Sequence, residues 1–178
     1  FGPIFATVAA TVFNGEMWFV RNGTAYASSD GASWTSRSSN LVGGTTLGRG
    51  YATLTVHGGQ LWYLGGAINF APGSGGNPGT GDATNDVWTS SDGETWTQVA
   101  ATSPFSARYQ HASFVLNNEL WVFGGRGYSS GVDGPGSASA YSTTNGITWT
   151  PRATATEADR SLLAGVVQEP GRVSLIGG

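Results

Sequence analysis

The chain contains no cysteine and no lysine, and only 11% of its 178 residues are charged. Without cysteine it has no disulfide, thiolate nucleophile or cysteine-ligated metal site. The net charge of −3 makes nucleic acid an unexpected partner, because phosphate backbones are bound by dense cationic patches. No run approaches the roughly 18 apolar residues of a membrane helix, so we expect no membrane insertion.

What the chain does have is glycine and aromatic side chains. It holds 29 Gly, and 12% of its residues are Phe, Trp or Tyr. A disordered chain would be richer in charge and poorer in aromatic residues, so this composition indicates a folded domain. Because Ser, Thr, Asn and Gly supply most of the polar surface in place of Lys and Glu, we expect an extracellular, secreted or cell-envelope protein.

The aromatic residues repeat. The dipeptides Met17-Trp18, Leu61-Trp62 and Leu120-Trp121 place Trp at intervals of 44 and 59 residues. Each is followed by two aromatic residues spaced 8 apart, and the repeat uses all 7 Trp. We therefore predict a structural core at Trp18, Trp34, Trp62, Trp88, Trp96, Trp121, Trp149, Tyr26 and Tyr141.

Turn dipeptides separate the repeated segments. Asp30-Gly31, Asp92-Gly93 and Asn145-Gly146 lie between the paired aromatic residues, and they predict two-residue type I′ hairpins. A second set precedes each apolar run, at Asn14-Gly15, Gly58-Gly59, Asn117-Asn118 and Pro170-Gly171. The flanking segments favour β-branched and aromatic residues without helical periodicity, so we predict an all-β fold of four-stranded antiparallel units.

This pattern resembles the kelch-repeat β-propeller family. The family's apolar quartet and glycine pair are matched by Leu61-Trp-Tyr-Leu-Gly65-Gly66 and Leu120-Trp-Val-Phe-Gly124-Gly125, and Arg108-Tyr-Gln-His111 is similar to its lead-in to an inner strand. The first unit lacks the glycine pair. Ser-Ser-Asp92-Gly93 also resembles the Asp-box of sialidase-like propellers, although one residue is missing between Asp and Gly.

The resemblance implies a partial propeller of four-stranded antiparallel blades, with three full blades and half of a fourth. Blade 1 covers about 1–37, blade 2 about 49–99, blade 3 about 108–152 and the partial blade 4 about 160–178. Three and a half blades do not close a ring. We therefore expect the remaining blades in the same or another chain, since the terminal blade faces would otherwise be exposed apolar patches.

Ligand contacts are expected at one face of such a propeller. Residues 67–85 of blade 2 and 126–138 of blade 3 predict long inner loops, and arginines recur before the inner strands. The candidate ligand-binding residues are Arg49, Arg108, Arg160, Tyr51, Tyr109, His111, Phe70, Arg126 and Tyr128. For the arginines the alternative is a structural bond to neighbouring carbonyl groups, and for the histidine a buried structural role.

The chemistry expected at these residues is recognition. We predict no cofactor, and Asp82 with Asp86 is a weak calcium candidate. The scattered carboxylates suggest no catalytic pair, and galactose-oxidase-like chemistry would need a cysteine. The sequence favours a non-catalytic module that binds a protein segment or glycan. The alternatives are part of a sialidase-like or epimerase-like enzyme, or a structural spacer in a surface filament or large assembly.

Overall fold

The computed structural model describes residues 9–21, 23–38, 41, 49–71, 80–129, 132–152, 164–168 and 172–176. All regular elements in these ranges are β-strands. No helix among the described residues is long and apolar enough to cross a membrane. The strands are β1 (Ala9–Phe13), β2 (Glu16–Arg21), β3 (Thr24–Ser28), β4 (Thr35–Ser38), β5 (Arg49–Gly50), β6 (Thr53–His57), β7 (Gln60–Ala71), β8 (Thr80–Ser90), β9 (Thr97–Ala100), β10 (Ala112–Leu116), β11 (Glu119–Phe123), β12 (Arg126–Ser129), β13 (Val132–Gly136), β14 (Ala140–Thr143), β15 (Thr150–Arg152), β16 (Ala164–Gln168) and β17 (Arg172–Ile176).

The strands form successive antiparallel blades. Blade 1 has the order β1-β2-β3-β4 and blade 3 the order β10-β11-β14-β15. Blade 2 consists of β6-β7-β8-β9, inside a larger sheet that also contains β5, β12 and β13. The hairpin β16-β17 is half of a fourth blade, and the inner strands β1, β6, β10 and β16 are neighbours. The predicted partial propeller is confirmed.

The hairpins between the first two strands of each full blade have the predicted turn geometry. Asn14 and Gly15 have φ values of 50° and 78°, and Asn117 and Asn118 have 52° and 58°. Both residues of Gly58-Gly59 also have positive φ. Two left-handed residues in succession define the type I′ turn, so these three predictions are confirmed. The fourth, at Pro170-Gly171, lies outside the described residues.

The loops between the outer two strands do not have the predicted geometry. In blade 2 the link runs from Ser90 to Thr97, and only Gly93 of its dipeptide has positive φ. Asp92 Oδ1 accepts the backbone N–H groups of Glu94 at 2.8 Å and Thr95 at 2.7 Å. This side-chain turn replaces the type I′ hairpin, because the Asp carboxylate satisfies the backbone donors itself.

The same loop recurs in every full blade. Ser90 Oγ accepts the Gly93 N–H at 2.7 Å, and Trp96 Nε1 donates to the Gly93 carbonyl at 3.0 Å. Equivalent bonds join Ser28, Asp30, Gly31 and Trp34 in blade 1, and Thr143, Asn145, Gly146 and Trp149 in blade 3. Backbone donors lower the pKa of Asp30 to about 2 and also lower that of Asp92.

The outer loops of blades 2 and 3 each receive an indole ring from the preceding blade. A Cβ built on Gly93 would lie 2.2 Å from ring carbons of Trp18, and one on Gly146 would lie 2.1 Å from Trp62. Both indoles are fixed within their own blade. Trp18 Nε1 donates to the Phe13 carbonyl at 3.1 Å, and Trp62 Nε1 donates to the equivalent His57 carbonyl at 3.0 Å. We call this contact the indole–glycine contact. Any side chain at the glycine would collide with the ring.

Among the described residues, one hydrophobic core lies in each interface between full blades. The core between blades 1 and 2 contains Phe13, Trp18, Val20, Ala25, Ala27, Leu41, Ala52, Leu54, Leu61 and Tyr63, with Trp88 and Trp96 packed against it. The core between blades 2 and 3 contains Trp62, Leu64, Val87, Phe105, Leu120, Val122 and Trp149, with Tyr141 packed against it. Full burial of each large side chain stabilises the fold by about 2 kcal/mol.

One predicted core residue is an exception. Trp34 has 39% of its surface exposed, whereas Trp149 has 6%. Trp149 is covered by blade 2, but Trp34 belongs to the first blade and contacts Phe19 of its own sheet, with ring centroids 4.7 Å apart. The prediction of a core position was therefore wrong for Trp34 in this structure.

The outer loop gives a direct test of its side-chain turn. Asp92→Ala removes the oxygen that accepts two backbone donors and should lower the free energy of unfolding by about 1 kcal/mol. Asp92→Asn should change it far less, because Asn145 already makes the same two bonds in blade 3. Urea denaturation of both variants measures the difference. Equal losses in the two variants would contradict this account of the loop.

Candidate functional site

The inner segments of blades 2 and 3 are β-structure. Strand β7 continues beyond Gly65-Gly66 to Ala71, and β8 pairs with its extension from Thr80 onward. Strands β12 and β13 form a hairpin beside them, joined to β8 where Ser129 pairs with Asp82. The sequence predicted loops here, and this was wrong for the described residues. The pairing of β12 with the extension of β8 therefore joins the inner segments of blades 2 and 3 into one continuous rim.

Three tyrosines meet where this rim reaches the inner strands. The Tyr51 and Tyr109 rings lie 5.6 Å apart, and Tyr109 and Tyr128 lie 5.3 Å apart, both edge to face. The Tyr109 hydroxyl donates to Asp133 Oδ1, and Arg126 Nη1 lies 3.4 Å from Asp133 Oδ2. We call Tyr51, Tyr109, Tyr128, Arg126 and Asp133 the tyrosine rim. It contains four of the residues that the sequence predicted as ligand contacts.

Backbone geometry positions the tyrosine rim. Tyr51 and Gln110 occupy equivalent places before β6 and β10, and both have left-handed φ values, 56° and 55°. Their segments are joined by a bond from the Gln110 N–H to the Tyr51 carbonyl at 3.2 Å. Tyr109 and Arg126 exchange two backbone bonds, at 2.9 and 3.1 Å. A left-handed conformation is strained for a residue other than glycine and persists only where the surrounding structure maintains it. Residues strained in this way cluster at functional sites.

The tyrosine rim has a polar, negatively charged margin. Asp82, Ser129, Val132 and Asp133 are exposed, and Ser129 Oγ donates to Asp82 Oδ1 at 3.2 Å. Burial and the bond to Asp133 raise the pKa of Tyr109, so its hydroxyl stays protonated and acts as a donor. Burial also raises the pKa of Tyr128. The surface thus combines the partly exposed Tyr51 ring with the carboxylate acceptors of Asp82 and Asp133.

Arg49 is buried, and all three of its guanidinium nitrogens donate hydrogen bonds within blade 2. Its Nε donates to the Gly65 carbonyl at 2.6 Å, and Nη1 donates to Asp86 Oδ2 at 3.0 Å. Nη2 donates to Thr84 Oγ1 at 2.7 Å and to Asp86 Oδ1. Although burial opposes it, the pKa of Asp86 is lowered by the Arg49 charge and by bonds from Arg49, Thr84 and Trp88. These contacts give Arg49 a structural role.

Arg108 is the equivalent residue of blade 3 and binds neutral oxygens. Its Nε donates to the Ser106 carbonyl at 3.0 Å, and Nη1 donates to the carbonyls of Gly124 at 2.9 Å and Ser139 at 3.4 Å. Nη2 donates to the hydroxyls of Ser106 and Ser139. All five donors are used within the protein. As ligand contacts, Arg49 and Arg108 remain predictions.

His111 is buried between blades 2 and 3. Its Nε2 lies 3.1 Å from Thr53 Oγ1, and its ring closely approaches Gly65, where a Cβ would lie 2.8 Å from Cε1. Burial, with the charges of Arg108 and Arg49, lowers the pKa of His111 to about 3. The imidazole is therefore neutral. It joins the lead-in segment of blade 3 to the glycine pair of blade 2.

The other predicted site residues are not brought to the tyrosine rim. Arg160 lies outside the described residues, and the structure describes only the backbone of Phe70 in β7. Of the calcium candidates, Asp86 is bound by Arg49, whereas Asp82 is exposed beside Ser129. Among the described residues, no group of three or more His, Asp or Glu side chains could hold a metal ion.

A groove of about 350 Å³ follows the inner strands. The tyrosine rim lies at the end of this groove where β6 and β10 begin. A hydrogen bond between the hydroxyls of Thr55 and Ser113 crosses from blade 2 to blade 3. The groove is lined by Ala10, Thr11, Leu54, Thr55, Val56, Ser113, Phe114 and Val115.

The ligand contacts predicted from the sequence do not include Asp133, although it lies in the inner segment 126–138 that was predicted to carry ligand contacts. Asp133 reaches Tyr109 because the β12-β13 hairpin pairs Tyr128 with Asp133. The available signal was the small-residue stretch between Tyr128 and Val132, which is typical of a tight turn and would have predicted that pairing. Ser129 and its contact with Asp82 depend on pairing between blades, which no local pattern shows.

The comparisons with known proteins support the fold. No family model matches the chain, and no curated protein matches it. The solved structure of YjhT is similar over 94% of this chain, with a TM-score of 0.69 and 16% sequence identity. The chain spans 56% of the YjhT chain. At this identity the similarity shows the fold alone.

The two carboxylates near the arginines should respond differently to neutralisation. Asp86→Asn leaves the buried Arg49 charge without its partner and should destabilise the protein by about 3 kcal/mol. Asp133→Asn, on the exposed side of the rim, should cost no more than about 0.5 kcal/mol. Urea denaturation measures both. Equal losses would show that Asp86 does not stabilise the buried guanidinium.

His111 should make stability depend on pH. Its pKa is about 3 in the folded chain and about 6.5 when unfolded, so the unfolded chain binds the extra proton between these values. Stability from this group is complete above pH 6.5 and falls as the pH is lowered, by about 2 kcal/mol at pH 5. Urea denaturation at pH 8 and pH 5 measures the loss. His111→Gln should show a smaller loss between the two pH values; an unchanged difference would assign the effect to other groups.

Proposed function

We propose that the protein is a non-catalytic recognition module that binds a glycan or an extended protein segment at the tyrosine rim. The observation that carries the proposal is the packing of Tyr51, Tyr109 and Tyr128 in contact with one another, beside exposed carboxylates. Membership of the kelch-repeat family and an extracellular or envelope location are part of the same proposal.

The rigidity of the tyrosine rim supports recognition. Tyr109 and Tyr128 are nearly buried, and Tyr51 is partly exposed. Sheet pairing holds Arg126 against Tyr109, and the Tyr109 hydroxyl holds Asp133. Little side-chain entropy is lost when a ligand binds groups that are already ordered. Tyrosine also provides a large contact area that is apolar on its faces and polar at its tip.

The polar groups suit a ligand with many hydroxyl or amide donors. The carboxylates of Asp82 and Asp133 are acceptors on the exposed side, and Arg126 supplies donors beside them. Sugars and peptide backbones both present closely spaced donors and acceptors. An aromatic edge beside such groups is a common arrangement for holding either class, since apolar contact and hydrogen bonds then act together.

Two binding screens test the proposal. The protein is applied to an array of neutral and acidic glycans and to a random peptide display library. Each ligand found is then titrated by calorimetry against Tyr51→Ala and Asp133→Asn. Loss of a ring contact or of a charged acceptor should weaken binding by about tenfold or more. Ile147→Ser is the matched control, because Ile147 is 61% exposed in the outer loop of blade 3, away from the rim. No ligand from either screen, or a ligand whose affinity both variants leave unchanged, would contradict the proposal.

A further inference from the structure

Blade 1 has one face that is open in this structure. Met17 has 37% of its surface exposed and Trp34 has 39%, while Phe19 and Tyr26 are partly exposed. The Phe19 and Tyr26 rings stack at 4.8 Å, so the four side chains form one continuous apolar surface. We call Met17, Phe19, Tyr26 and Trp34 the open face.

The equivalent faces of blades 2 and 3 are covered. Strand register identifies the equivalents, because Met17, Leu61 and Leu120 pair with Ser28, Ser90 and Thr143 in their blades. Leu61, Tyr63, Trp88 and Trp96 form this face in blade 2, and Leu120, Val122, Tyr141 and Trp149 form it in blade 3. Leu61, Leu120 and Val122 have no exposed surface, and Tyr63 has 1%.

Gly31 is the acceptor of an indole–glycine contact that no described residue makes. Gly93 and Gly146 each lie against an indole from the preceding blade, whereas a Cβ on Gly31 would meet only the terminal methyl of Met17, at 3.1 Å. The Gly31 loop nevertheless has the same hydrogen bonds and the same φ of 74° as the Gly146 loop. The blade is thus shaped for a partner of the same kind.

We propose that the open face docks a further four-stranded blade of the same polypeptide, whose second strand places an indole on Gly31. The two interfaces between full blades have this arrangement, and both run in one direction along one chain. The similar YjhT structure agrees, because this chain matches only 56% of a longer continuous chain of the same fold.

A second copy of these residues fits the open face less well. The half blade would have to present its second strand to Gly31. Counted from the first residue of the inner strand, the third residue pair of each hairpin contains a tryptophan in the full blades: Thr11 with Trp18, Thr55 with Trp62, and Phe114 with Trp121. In the half blade the third pair is Val166 with Ser174. A serine supplies no indole. The occupant is therefore assigned to a blade that carries tryptophan there.

Oxidation of Met17 tests the proposal without a substitution. Met17 is the sole methionine of these 178 residues, so its peptide reports on the open face. The polypeptide of full natural length is treated with hydrogen peroxide, and sulfoxide formation at Met17 is followed by mass spectrometry. We expect oxidation at least about tenfold slower than that of N-acetylmethionine amide, because thioether oxidation follows exposure. A rate within about threefold of the free compound would overturn the proposal.

Dilution distinguishes a blade of the same polypeptide from a second copy as the group that covers the open face. Protection by a blade of the same polypeptide is independent of protein concentration, whereas protection by a second copy is lost as the dimer dissociates. Loss of protection on dilution, together with a dimer mass by light scattering, would overturn the assignment to the same polypeptide.

Glycine substitutions in the same full-length protein test the indole. Gly93→Ala places a methyl group against the Trp18 ring, and Gly31→Ala would place one against the proposed indole. Gly15→Ala has the same type of positive φ and nothing within 4 Å. We expect Gly31→Ala to lower Tm by roughly 5 °C more than Gly15→Ala, similarly to Gly93→Ala. Equal effects of Gly31→Ala and Gly15→Ala would overturn the proposed indole on Gly31.

Discussion

The fold depends on the indole–glycine contact between blades. A single sheet of this kind has two apolar faces and is unstable alone, so each blade requires its neighbours. Trp18 and Trp62 meet that requirement by inserting into loops whose glycines leave room for a ring. A bond from each indole to a carbonyl of its own blade fixes the orientation of the ring that the next blade receives. Repetition of one contact therefore sets the angle and spacing of successive blades.

The outer loop explains why the motif needs several residue types together. The Asp or Asn side chain closes the turn, the glycine receives the indole, and the following Trp packs against the preceding blade. An aspartate followed by glycine is also the usual signal for a two-residue hairpin. The side-chain turn is favoured here because Ser or Thr two residues earlier accepts the glycine N–H, which extends the loop to six residues.

Most of the architecture was predictable from the sequence, because spacing of aromatic residues reflects a contact that recurs. The blade order, the inner hairpins and the absence of helix among the described residues all agree with it. The tyrosine rim was predictable only in part. Tyr51 and Tyr109 follow from their places after Arg49 and Arg108, but Asp133 reaches Tyr109 through a hairpin that pairs across Gly-rich sequence. Exposure of Trp34 depends on a neighbouring blade, which local sequence does not describe.

The arginines show how one position can be used differently in two blades. Arg49 pairs with Asp86, which lies two residues before Trp88. At the equivalent position, two residues before Tyr141, Arg108 finds Ser139. A buried charge without a carboxylate is costly unless every donor is satisfied. Arg108 meets this condition with carbonyl and hydroxyl oxygens, and its guanidinium also lies over the Phe105 and Tyr141 rings. Both arginines are thus satisfied within the protein. The neighbouring side chains that reach solvent are the partly exposed Tyr51 and the carboxylates of Asp82 and Asp133.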